Sequence, residues 1–142
     1  IARSIEVIAS YAPNLERFKV MLKFKFLLWM MPKLLQRAIN TKPACAHYVA
    51  RKTLEFQIQT LDKVGRHFRI KDGKVKSFAG LTSTPKFTLT FRNADRGFKI
   101  LSAKDGKEAF LAALHDEDLV ISGDFVEVLW FQGFTEYLQP DK

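Results

Sequence analysis

Apolar positions along this chain recur at two different periods. Leu54, Phe56 and Ile58 alternate with Glu55, Gln57 and Gln59, and after a turn over 62–65, Phe68 and Ile70 alternate with His67, Arg69 and Lys71. A period of two predicts strands with one buried face. Asp72-Gly73 stands between two extended runs, a hairpin signal because both central residues of a type I′ turn need positive φ. A third strand is expected over 74–79. Phe87, Leu89 and Phe91, set against Thr88, Thr90 and Arg92, predict a fourth, and Leu119 to Ser122 a brief fifth that ends at Gly123.

The remaining segments carry helix signals. Asn93 is placed to cap a helix to about Leu101. Asp105 with Glu108, and Asp124 with Glu127, repeat the capping-box spacing and open helices to about Leu114 and over 125–138. Before Thr53 the pattern is helical, and Pro13, Pro32 and Pro43 divide it into expected helices over 14–31, 33–40 and 43–52. Proline suits a first turn and resists a helix interior.

The closing helix is apolar almost all round, with Phe125, Val126, Val128, Leu129, Trp130, Phe131, Phe134, Tyr137 and Leu138 on nearly every side. Such a helix is expected to be covered on more than one face. A sheet can cover one face. The N-terminal arm, a second subunit or a bound apolar ligand would cover the other.

The 142 residues (16.3 kDa) suit one domain, and 47% apolar with 27% charged residues is the range of soluble globular proteins. Cys45 is the one cysteine and the three histidines (His47, His67, His115) are widely spread, so neither a disulfide scaffold nor a structural zinc site is expected. A single free thiol fits a reducing compartment. The expectation is a cytoplasmic protein, with a peripheral membrane location left open. The chain opens at Ile1 rather than Met, and further sequence is expected upstream.

The net charge of +8 is unevenly placed. Residues 1–52 hold ten cations against Glu6 and Glu16, or 10 − 2 = +8, while residues 53–142 hold 13 of each sign. The chain is therefore read as a basic helical extension, 1–52, and a neutral body, 53–142. A basic arm points to an anionic partner. Its longest apolar run, Phe26 to Met31, is six residues, against about 20 needed to span a bilayer. Lysine stems can lie along apolar surface with the ammonium among headgroups, which makes Lys19, Lys23, Lys25, Trp29, Lys33 and Arg37 candidate membrane contacts. A core helix with solvated lysines explains the same residues. Nucleic acid is not expected, because residues 18–35 are too apolar and lack Gly, Ser, Asn and Gln.

The stretch from Lys52 onward carries a family pattern. KTLEFQIQTLDKVGRHFRIKDGKVKSFAG, then TPKFTLTFRNADRGFKIL, then KEAFLAALHDEDLVISGDFVEVLWF resembles the sterol carrier protein 2 family. An amphipathic strand runs at once into a polar helix start, the Ala109-Phe110 pair stands in the next helix, and Ser122-Gly123-Asp124 precedes a closing helix. The match covers about 53–138. Where family members usually carry a glycine and short spacer between two helices, this chain has Ser102 to Gly106. The resemblance implies an α+β fold in which helices cover one face of a five-stranded, mostly antiparallel sheet. It also implies an apolar tunnel for a fatty acyl, sterol or isoprenoid chain, and no catalysis by the domain itself. Some family domains serve as accessory subunits of lipid-modifying or quinone-making complexes.

Thirteen phenylalanines suit a packed core as readily as a lipid cavity. Composition favours the packed core; the resemblance reverses that order. The candidate ligand contacts are Phe56, Ile58, Phe68, Phe87, Leu89, Phe91, Phe98, Leu101, Phe110, Leu114, Phe125, Leu129, Trp130 and Phe134. No catalytic residue, metal or cofactor is expected. Asp116-Glu117-Asp118 reads as a solvated turn, Cys45 and His47 diverge on a helix, and no nucleophile, phosphate-loop or dinucleotide motif occurs. The other open reading is an interaction subunit whose apolar helices are covered by a partner protein or a second copy.

Overall fold

The computed structural model describes residues 2–138, with side chains from residue 15 onward. In chain order the elements are α1 (Ala2–Thr41), α2 (Pro43–Val49), β1 (Leu54–Thr60), β2 (Gly65–Lys71), β3 (Lys74–Ala79), β4 (Phe87–Phe91), α3 (Ala94–Leu101), α4 (Gly106–His115), β5 (Leu119–Gly123) and α5 (Phe125–Thr135), closed by a short turn of 3-10 helix, Glu136–Leu138. The strands form one sheet in the order β3-β2-β1-β4-β5. Only the central pair β1–β4 is parallel; the other three pairings are antiparallel. This is the α+β architecture that the resemblance implies, with strands and capped helices where alternation and caps predict them.

Register puts the apolar residues on one face. Phe56 lies opposite Phe68 on β2 and Phe87 on β4, and Ile58 lies opposite Leu89. All five are buried. On the reverse face, Gln57 and Gln59 donate to the hydroxyls of Thr88 and Thr90 (3.0 and 3.1 Å). Thr82 of the loop after β3 donates its backbone N–H to Gln57 Oε1 (2.9 Å). The polar positions are thus satisfied beneath that loop, while the apolar face is left to the helices. The hairpin forms as predicted, with Asp72 and Gly73 at φ 53° and 73°.

All three predicted caps are made. Asn93 Oδ1 accepts from the N–H of Arg96 (2.9 Å), Asp105 Oδ1 from that of Glu108 (3.2 Å), and Asp124 Oδ1 from those of Val126 and Glu127 (3.0 and 3.4 Å).

The N-terminal half needs correction. The helices expected over 14–31 and 33–40 are one continuous helix, α1, which runs through Pro32. An interior proline costs about 3 kcal/mol. Here Pro32 is itself buried, and Phe24, Leu28, Met31 and Leu35 at its sides lie in the same core as the sheet. Their 4-3-4 spacing forms one stripe, and covering the sheet with it outweighs the lost hydrogen bond. Arg51 at φ 67° follows α2, so the helix expected to reach residue 52 ends at Val49.

Candidate functional site

Covering the sheet with several helices leaves a gap where they meet. A cavity of about 360 Å³ lies between Leu27, Met31 and Leu34 of α1, Leu89 of β4, the end of α3 at Ile100 and Leu101, Phe110 of α4, and Phe131 of α5. Ser102, Ala103, Lys104 and Gly106 of the α3–α4 link edge it on one side, and Gln132, Thr135 and Leu138 on another. That volume is within the range of small-ligand sites, and so is the make-up: apolar walls with a few polar groups. Among the described residues Lys104 is the one charged residue in the lining. The arrangement offers dispersion contacts to an apolar chain and a cation at the rim. It holds no nucleophile with a base beside it.

Local features place these walls. Gly97 lets α3 come close to α1: a Cβ there would stand 2.5 Å from Phe24 Cε1. The α3–α4 link is the rim itself. On α5, Val128, Phe131 and Phe134 face the sheet, and the Phe131 ring lies 4.5 Å from that of Phe56. Trp130 is covered by α2, stacked on Tyr48 at 5.2 Å, and Tyr48 donates its hydroxyl to the Trp130 carbonyl (2.7 Å).

Of the candidate ligand contacts, the cavity gathers Leu89, Leu101 and Phe110. Phe56, Ile58, Phe68, Phe87, Phe91 and Phe134 are buried beside it in the packed core. Phe98, Leu114 and Trp130 are half-buried outside the lining. Phe125 and Leu129 stand 50% and 52% exposed on the outer side of α5, away from the cavity that their sequence expectation gave them. The cause is rotational: once Val128, Phe131 and Phe134 take the sheet, residues 125 and 129 point outward. The cover expected for this side of α5 is absent among the described residues.

Leu27, Met31, Leu34, Ile100, Phe131 and Leu138 line the cavity though they are not among the candidate ligand contacts. The i, i+4, i+7 spacing of Leu27, Met31 and Leu34 was the available signal. Reading Pro32 as a break concealed it.

The six candidate membrane contacts, Lys19, Lys23, Lys25, Trp29, Lys33 and Arg37, are all exposed. Trp29 belongs to a second apolar stripe with Leu15, Phe18, Leu22 and Phe26, exposed on the side of α1 opposite its buried one, and the five cations lie along it. Lys33 Nζ lies over the Trp29 ring at 4.5 Å, and Lys19 sits 3.8 Å from Glu16. No described helix is long and apolar enough to cross a membrane.

Several titratable groups elsewhere have structural partners. Asp118 faces Arg92 (3.2 Å) and Arg96 (3.9 Å), and His115 contacts Asp116. Burial pushes the Cys45 thiol above its ordinary pKa, with nearby Lys42 working against the shift. Burial does the same to the Tyr48 hydroxyl, reinforced by Tyr137 and Glu136.

No protein-family model and no curated protein matches this sequence. Solved structures do. A structure described as the UbiJ-SCP2 ubiquinone synthesis protein aligns at a TM-score of 0.61 and 13% identity, over 81% of this chain and 97% of its own. Sterol carrier protein 2 from Yarrowia lipolytica aligns at 0.50 and 13% identity, over 82% and 94%. The inverting sec-alkylsulfatase Pisa1 from Pseudomonas sp. aligns at 0.51 and 12% identity, over 68% of this chain but 14% of its own. An alignment over 81% of 142 residues exceeds the 90 residues of 53–142, so the shared fold includes part of the N-terminal helical segment. The sheet order, the helices on one face and these alignments make this a sterol carrier protein 2-like fold.

Proposed function

We propose that this protein is a non-catalytic lipid-binding domain. One fatty acyl, sterol or isoprenoid chain occupies the cavity between α1, the α3–α4 link and α5, and the basic outer side of α1 docks on anionic membrane. Residues 1–52 then supply the membrane surface and one cavity wall, and residues 53–142 the remainder. Its place would be the cytoplasm, with a peripheral position at a membrane when docked. The observation that carries the proposal is the apolar cavity of about 360 Å³ with a single cation at its rim. Fold-sharing with a ubiquinone synthesis protein keeps isoprenoid chains among the candidate ligands.

Native mass spectrometry with organic extraction of the purified protein is the test. A co-purifying lipid, displaced by fluorescent fatty acids, is the expected result. Leu34→Trp, which projects bulk into the cavity from a partly exposed position, should lower uptake while leaving the fold intact. A ligand-free protein that ignores fluorescent fatty acids would overturn the proposal.

A second reading rests on α5. Phe125, Val126 and Leu129 are 50%, 70% and 52% exposed, which suits an accessory subunit covered there by a partner protein or a second copy. A monomer at low concentration in sedimentation would count against the second-copy form.

A further inference from the structure

A second concavity lies at the other edge of the helical layer. It is a groove of about 730 Å³ between the C-terminal part of α1 and strands β2 and β3. Lys33 and Arg37 line it from the helix and Arg66 from β2. Among the described residues no acidic residue is in the lining, and none of these three has a carboxylate within ion-pair distance.

Arg66 is the informative member. It lies opposite Ile58 in the β1–β2 register, so its side chain leaves the sheet on the face packed by helices. One guanidinium nitrogen donates to Ser77 Oγ (3.1 Å), while Nε is buried without a hydrogen-bond partner. A buried N–H left open on a cation is costly unless an acceptor completes it. Three cations lining one groove also repel one another until an anion is present.

We infer that this groove binds the phosphate of an anionic phospholipid headgroup, held by Lys33, Arg37 and Arg66. Charge complementarity specifies an anion, and guanidinium groups match the oxygens of phosphate. The lipid source follows from continuity: Trp29 belongs both to the groove lining and to the exposed apolar stripe of α1. A headgroup seated here leaves its acyl chains beside that stripe. The inference rests on the membrane-docking part of the proposed function and is independent of what fills the cavity.

Partitioning onto phosphatidylcholine vesicles with and without phosphatidic acid tests it. The variant Arg37→Gln/Ser77→Asp removes a cation from one wall and sets a carboxylate beside Arg66 on the other; Lys86→Gln/Lys107→Gln, equal in charge change, lies outside the groove. The groove variant should partition about tenfold or more weakly than the control pair. Heteronuclear NMR should show the Arg66 Nε–H resonance moving when phosphatidic acid is added as a dispersed short-chain lipid. Equal partitioning of the two variants overturns the groove assignment while leaving membrane docking intact. No vesicle binding by the unaltered protein overturns both. A shift of the Arg66 signal with inorganic phosphate but none with the lipid overturns the lipid source, as does oligonucleotide binding without vesicle binding.

Discussion

The ring of Phe24 meets that of Phe91 edge-on, centroids 6.4 Å apart and planes at 76°. This contact ties the N-terminal helix to β4, and Gly97 of α3 lies against both rings. Phe24→Ala should destabilise the fold by about 3–5 kcal/mol. Gly97→Val should cost about 1–3 kcal/mol, because its side chain must displace Phe24. Urea denaturation reads both; a Phe24→Ala loss below 1 kcal/mol would mean that α1 is not part of the core.

Gln36 fastens the same helix to the hairpin. Its Nε2 donates to the Gly73 carbonyl (3.2 Å) and its Oε1 accepts from the Val75 N–H (2.9 Å). Gln36→Leu strands both backbone groups, at about 1–3 kcal/mol. Hydrogen exchange at the Val75 amide should accelerate beyond that of β1 amides, which would mark local opening rather than global loss.

Removing residues 1–42 should not yield a folded body with weaker membrane affinity. Phe24, Leu28, Met31 and Leu35 would all go, and with them the cover of the sheet. The truncated chain is expected to aggregate or unfold on circular dichroism and sedimentation. Lys19→Gln/Lys23→Gln/Lys25→Gln is the cleaner probe of docking: it spares the buried stripe. Its vesicle binding should fall, and that of the unaltered protein should fall with salt.

Alkaline pH should weaken the fold. The Cys45 thiol, ordinarily near 9.0, and the Tyr48 hydroxyl, ordinarily near 10.0, are both raised in the folded state, mainly by burial. Below those values both states keep their protons. Above them the unfolded chain ionises first, so stability falls until the pH passes the folded-state values. Urea midpoints followed upward through pH 9 should decline, and Cys45→Ala should remove part of the decline. Alkylation of the native thiol should be slow; labelling as fast as in denaturant would contradict its burial.

The strands and caps were legible because their signals are local. Alternation at Leu54–Ile58 and Phe87–Phe91 states which side chains share a face, and the three Asx caps act within three residues of themselves. Helix α1 was not legible in this way. Pro32 carries a strong local penalty, and what outweighs it is a sheet built from residues far along the chain.

Sequence alone determined the sheet's two faces, the capped helices and the separation of positive charge from a neutral body, since each depends on neighbours within a few positions. Tertiary structure decided where α1 lies, which side of α5 meets the sheet, and where space is left. Those outcomes turn on how helices of fixed diameter pack together over one face, and only assembled side chains settle which gaps they close. Leu27 and Phe131 thereby wall a cavity, while Phe125 and Leu129, equally apolar on paper, face outward.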